Sequence, residues 1–129
     1  MKPKILSWNV RGLNEGNKRL RIRNLLQDWK VDIVCLQETK FFSLSRRLVR
    51  SLWRCNYVDW VCLDSCGESG GILILWDKRV VEKLEDCFGV YSLAVEFRRV
   101  LFRSRVPLIM IIEERGSLAV ASVRGGVAK

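Results

Sequence analysis

The chain contains no histidine, so imidazole is missing from every acid–base or metal site it could build. Long hydrophobic runs are missing as well. The apolar stretches at 31–37, 57–63, 71–76 and 106–112 are far shorter than the roughly 20 residues that cross a bilayer. The N-terminus lacks the basic-then-apolar order of an export signal. A soluble, intracellular chain, nuclear or cytoplasmic and without a membrane partner, is therefore expected. Cysteine is present in an odd number, five, at Cys35, Cys55, Cys62, Cys66 and Cys87. Three of these lie in apolar runs, which points to reduced, buried thiols rather than a disulfide framework. Cys62 and Cys66 are spaced as a metal pair would be, but with no second pair of matching spacing and no histidine, zinc is not expected.

What is present is enough for one modest domain: 129 residues, 49% of them apolar, a globular rather than disordered composition. The formal net charge of +9 invites a nucleic-acid reading until it is located along the chain. Residues 1–97 carry +4, and residues 98–129 carry +5. That last quarter shows no helical period, one short apolar run (LIMII, 108–112) and a closing stretch of Gly, Ser, Ala and Val. Residues 98–104 read RRVLFRS, which is what one frame of a common short-read sequencing adapter (AGACGTGTGCTCTTCCGATCT) encodes. The expected organisation is a partial domain over 1–97, followed by a tail over 98–129 foreign to it. That tail is expected to be artefactual or disordered, paired at most opportunistically through 106–112.

Within 1–97, strand-like and helix-like segments alternate. A β-rich run at 4–10 leads into a turn marked by Gly12, Asn14 and Gly16. Asn17 is the expected helix cap, and Ile22, Leu25, Leu26 and Trp29 then recur at helical spacing as one inward stripe. A second apolar strand at 32–37 ends at Glu38. The helical period returns over 43–53 with Leu44, Leu48 and Leu52 inward, and strands are expected at 57–63, 71–77, 80–87 and 90–97. ILSWNV, DIVCLQ and GILILW are apolar on both alternating faces, the pattern of a sheet covered on both sides. The helices cover one face. A second sheet, expected to be missing here, would be needed for the other, so exposed apolar surface and poor solubility are expected.

Two polar breaks end two of these runs: Asn9 after ILSW, and Glu38 in CLQET. If the first two strands are neighbours joined by a crossover helix, their C-terminal ends lie side by side and bring Asn9 and Glu38 together. A carboxylate there can hold a hard cation such as Mg²⁺, which keeps most of its waters and takes one or two carboxylates plus a substrate phosphate. An amide can hold a phosphate oxygen or an attacking water without adding charge. Alone, Asn9 reads as a turn former and Glu38 as a solvated strand end.

The surrounding blocks raise the pair above that. SWNVRGLN, the basic helix after it, DIVCLQETK and ESGGILILW resemble, in order and approximate spacing, the endonuclease/exonuclease/phosphatase superfamily. The sequence looks most like the apurinic-type endonuclease domains at the N-terminus of plant LINE-like (non-LTR) retrotransposon polyproteins, over about residues 4–97. The resemblance implies an α/β fold, the N-terminal half of a four-layer α/β sandwich, truncated here. It also implies Mg²⁺-assisted phosphodiester hydrolysis with nucleic acid (DNA) as partner. On this pattern Asn9 matches the active-site asparagine and Glu38 the metal-ligand glutamate. The family's later GVYGP-like, GDFN-like and SDH-like blocks do not occur. Tyr91, in GVYSL, precedes a strand instead of ending one and is not matched to the catalytic tyrosine.

The expected function is a fragment of a Mg²⁺-dependent phosphodiesterase, inactive as it stands. One alternative is a non-catalytic nucleic-acid-binding module using Lys18, Arg19, Arg23, Arg46, Arg47 and Arg50. Another is a fragment of a phosphoinositide phosphatase or sphingomyelinase-like branch, although Arg11-Gly12-Leu13 after Asn9 looks more like the retroelement branch. A long, uninterrupted read of the coding locus is expected to replace RRVLFRS with a continuation into the missing blocks or an early stop. Recovery of RRVLFRS in genomic sequence would reject the adapter origin.

Overall fold

The computed structural model describes residues 3–13, 15–40, 44–64, 70–100, 107–113 and 118–122. In chain order the elements are β1 (Ile5–Asn9), α1 (Gly16–Trp29), β2 (Ile33–Gln37), α2 (Arg46–Leu52), β3 (Val58–Leu63), β4 (Ile72–Asp77), β5 (Val81–Phe88), β6 (Ser92–Arg99), β7 (Leu108–Glu113) and β8 (Leu118–Ser122). They form two four-stranded sheets, ordered β1-β2-β4-β3 and β5-β6-β7-β8. β1 and β2 are parallel, with α1 as the crossover between them, and all other pairings are antiparallel.

The two strands buried along their whole length, β2 and β4, lie at the centre of the first sheet, where neighbours flank them on both edges. Their alternating side chains feed two cores. Val34, Leu36, Leu73 and Leu75 join Ile22 and Leu26 of α1 and Val49 and Leu52 of α2. Ile33, Cys35, Ile72, Ile74 and Trp76 face the second sheet and meet Val81, Leu93, Val95, Phe97, Met110 and Ile112. There Trp76 and Phe97 pack edge to face, with ring centroids 5.1 Å apart, a favoured aromatic geometry.

Both helices follow the apolar period, with local departures. α1 begins one residue after Glu15, whose backbone is extended and whose side chain makes no capping hydrogen bond. Asn17, the expected cap, already lies in the first turn. Ile22 and Leu26 are buried as expected, but Trp29, the helix's last residue, is 52% exposed: the chain turns away immediately after it, with Lys30 in the left-handed region at φ 51°. In α2 the cap is Ser45, whose Oγ accepts the Leu48 N–H at 3.2 Å. The face it buries is Val49 and Leu52, with Leu44 and Leu48 only half-buried.

The main correction concerns the second sheet. The inner face of the first sheet is not left bare, because this chain supplies the covering sheet itself. Part of that sheet comes from the segment expected to be foreign. β7 pairs with β6 from Ser92↔Glu113 to Phe97↔Leu108, and it buries Leu108, Met110 and Ile112 while Ile111 points outward at 42% exposure. Gln37, at the end of β2, donates to the Glu113 carbonyl at 2.6 Å, tying the two sheets at one end. β7 is thus built into the fold rather than trailing from it. Of RRVLFRS, residues 98 and 99 end β6, and 101–104 lie outside the described residues. Unburied apolar side chains remain on and around the second sheet: Leu84, Phe88, Val90, Tyr91 and Ile111.

Asp77 closes the opposite end of the first sheet. Its carboxylate, almost wholly buried, accepts from the Arg79 backbone at 2.9 Å and from the guanidinium at 2.7 Å, and that guanidinium lies 4.3 Å over the Tyr57 ring. Burial alone would push the Asp77 carboxyl up, but hydrogen bonds from the Arg79 side chain and backbone, with its charge, hold it below the usual carboxylate range. The described cysteines are free thiols. Cys35 is fully buried, and burial pushes its thiol far up. Burial, with a hydrogen bond to Asp64, pushes Cys62 up to about 11. Cys87, by contrast, is exposed, and Cys66 lies outside the described residues.

Two outcomes follow. Met110→Ala is expected to cost about 2–5 kcal/mol in urea unfolding, against less than about 0.5 kcal/mol for the outward Ile111→Ala; equal, small effects would show that β7 is not part of the cooperative fold. Because folding lowers the Asp77 pKa, its stabilisation is complete above the unfolded carboxyl's pKa and is lost as pH falls through the folded value. Asp77→Asn should therefore flatten the acid limb of the stability profile.

Candidate functional site

The parallel pairing of β1 and β2 sets Asn9 opposite Gln37, so the two strands end at the same level and Glu38 is the next residue out. The Asn9 Nδ2 donates to Glu38 Oε2. The other end of the amide is used as well: Asn9 Oδ1 accepts the Arg11 N–H at 3.2 Å, the short-range bond by which asparagine closes its own turn. Together these bonds orient the amide between its loop and the carboxylate. The structure therefore brings the two sequence-predicted residues together. Tyr91, 60% exposed in the turn before β6, has no hydrogen bond to either residue.

The backbone around Glu38 is unusual for its residue types. Glu38 and Lys40 have φ of 55° and 59°, and Arg11 has 53°, left-handed values that cost about 1–2 kcal/mol each for non-glycine residues. Hydrogen bonds on both sides hold them there. From the β1–α1 turn, the Val10, Gly12 and Leu13 N–H groups donate to the carbonyls of Gln37, Glu38 and Thr39 at 3.0, 2.6 and 3.0 Å. This ladder continues the β1–β2 pairing past the ends of both strands. From the other side, Thr39 and Lys40 donate to the Gly71 and Gly70 carbonyls at 3.3 and 2.6 Å. Thr39 is buried. Gly12, at φ 99°, takes a conformation open to glycine and strained for other residues.

The basic residues of α1 prove partly structural. Lys18 Nζ donates to the Val10 and Arg11 carbonyls at 3.0 and 3.2 Å, and the Arg19 guanidinium donates to the Leu13 carbonyl at 2.7 Å. They pin the turn that carries Asn9. On α2, Arg46 lies 5.0 Å over the Trp60 ring. Around the pair, Arg11 and Lys40 are exposed and give the rim a positive sign. Sequence reasoning placed Lys18 and Arg19 on a nucleic-acid-binding surface rather than against this turn, and it missed the Gly70–Gly71 pair. The glycines were visible in ESGGILILW; the lysine and arginine carried no signal, since a charge on a helix usually faces water.

Does this set fit a hard cation? In kind it does: an oxygen donor with no competing sulfur or imidazole, and a second carboxylate oxygen, Oε1, that takes no hydrogen bond among the described residues. In number it falls short of a full protein ligand set: among the described residues no group of three or more His, Cys, Asp or Glu residues converges.

The model of the Endonuclease/Exonuclease/phosphatase family matches residues 6–112, most of the chain. The chain belongs to that family. The match runs past residue 97 into β7. Among solved structures, this family member resembles the AP endonuclease LMAP from Leishmania major, with a TM-score of 0.57, 19% identity and 83% of the chain covered. It also resembles the catalytic domain of Xenopus laevis APE2, with a TM-score of 0.51, 19% identity and 84% covered. It spans 39% and 44% of those two chains. At that identity the likeness establishes the fold, the two-sheet α/β architecture of AP endonucleases. Among curated proteins the sequence has no significant match. None of the helices among the described residues is long and apolar enough to cross a membrane.

Proposed function

We propose that the chain carries the Asn9–Glu38 half of a Mg²⁺-assisted phosphodiesterase site that acts on nucleic acid, of the apurinic-type endonuclease kind found in plant LINE-like retroelements, and that it does not turn over by itself. The observation that carries this reading is the hydrogen bond from Asn9 to Glu38, made at the aligned ends of two parallel strands in a chain of this family. Glu38 would hold the metal through its carboxylate, and Mg²⁺, when bound, supplies Lewis-acid polarisation of a phosphoryl oxygen. Asn9, held on one side by Arg11 and on the other by Glu38, is oriented before any substrate arrives and contributes a neutral donor at the carboxylate's edge. Exposed Arg11 and Lys40 favour a phosphate-bearing partner at this rim. The reading as a binding module using Lys18, Arg19, Arg23, Arg46, Arg47 and Arg50 loses support at two of its six residues, because Lys18 and Arg19 donate to loop carbonyls.

Inactivity follows from the side chains the sequence lacks. With no histidine in the sequence and no group of three or more possible ligands among the described residues, the site has no imidazole to serve as general acid–base, and losing such a group costs about 10²–10⁴-fold by itself. The purified chain is expected to show no Mg²⁺-dependent cleavage of plasmid or abasic-site DNA, measured by gel assay. Cleavage that vanishes in Glu38→Ala would overturn the inactive reading while supporting the role given to Glu38.

A further inference from the structure

We propose that Gly70 is a positioning residue for Glu38, its missing side chain leaving the space in which the stem of that carboxylate stands. The inference rests on Glu38 as a metal ligand and concerns what sets its direction. A Cβ placed on Gly70 would lie 3.0 Å from both Cα and Cγ of Glu38 and 3.3 Å from its Cβ. Those atoms are the backbone and the near stem, not a flexible tip that could swing aside.

Glu38 has little room to retreat. Its carbonyl is bonded to the Gly12 N–H at 2.6 Å, and the two residues after it are bonded to Gly71 and Gly70 themselves. The glycine pair thus acts twice. Its carbonyls hold the left-handed backbone that turns Glu38 toward Asn9, and the bare Cα of Gly70 leaves that turn unobstructed. The requirement at Gly70 is for space alone. Among the described residues the glycines with positive φ are Gly12 and Gly71, so an alanine at 70 meets no left-handed-backbone penalty. An alanine at 71, at φ 88°, would mix strain with crowding. A side chain at 70 requires a give of about a few tenths of an ångström at Glu38, and that give shifts the carboxylate relative to the Asn9 amide.

The test uses the full chain, with Mn²⁺ as the metal probe and nuclear magnetic resonance as the readout. In Gly70→Ala, the Asn9 side-chain NH₂ signals should move toward those of Glu38→Gln, and Mn²⁺ broadening of the Gly12, Thr39 and Lys40 amides should need about 10–100-fold more metal. Gly16→Ala, whose new Cβ would meet nothing nearer than an Arg19 nitrogen at 3.7 Å, is the control and should leave both signals unchanged. If the Asn9 signals in Gly70→Ala stay at their wild-type positions, the positioning role is overturned whatever the metal does. If Mn²⁺ broadening survives Glu38→Gln, the ligand reading of Glu38 fails instead, and the Asn9 signals still decide the role of Gly70. Should Gly70→Ala unfold, Glu38→Gly should stabilise that variant more than it stabilises the wild-type chain, because relief of the left-handed backbone is common to both backgrounds and relief of the crowded stem is not. An equal gain in both backgrounds would place the damage elsewhere and reject the proposal.

Discussion

Everything in this molecule depends on burying β2 and β4 on both faces. Those strands carry apolar side chains at nearly every position, and such a sheet is stable only between two layers. α1 and α2 supply one layer through Ile22, Leu26, Val49 and Leu52. β5, β6 and β7 supply the other through Val81, Leu93, Val95, Phe97, Met110 and Ile112. The two strands are thereby fixed in height relative to β1 and β3, and the fixed height puts the end of β1 beside the end of β2.

The candidate site is a consequence of that alignment. Where the apolar runs stop, the backbone groups at the strand ends still need partners. They find them in the turn after β1 and in the Gly70–Gly71 segment. Glu38 is held between these two, turned by a left-handed backbone, and Asn9 meets it from the neighbouring strand. Lys18 and Arg19 satisfy the carbonyls of the same turn. A charged stripe that looks like an electrostatic surface is, in part, internal scaffolding for the site.

β7 shows the limits of composition as a guide. Residues 108–113 were set apart by a shift in charge and the loss of helical period. Yet the alternation of Leu108, Met110 and Ile112 with Ile109, Ile111 and Glu113 suits a strand with one buried face, and the edge of β6 offers a matching register. Hydrogen-bond pairing tests a strand only against its neighbour, not against its origin. The Gln37 bond to the Glu113 carbonyl then couples this strand to the residue next to Glu38.

Local patterning alone determined the apolar runs, the two helices, the turn after β1, and the polar breaks at Asn9 and Glu38. Each of these is written in residues close together in the chain, where periodicity and turn chemistry act. The block order resembling the family could likewise be read along one dimension. Tertiary structure decided what depends on residues far apart. It showed that the inner face is covered by this chain's own second sheet, that Trp29 falls beyond the packed stripe, that Lys18 and Arg19 turn inward to a loop, and that Gly70 stands against Glu38. Those outcomes are set by which surfaces and unpaired backbone groups meet once the sheets close, and no window of neighbouring residues contains that information.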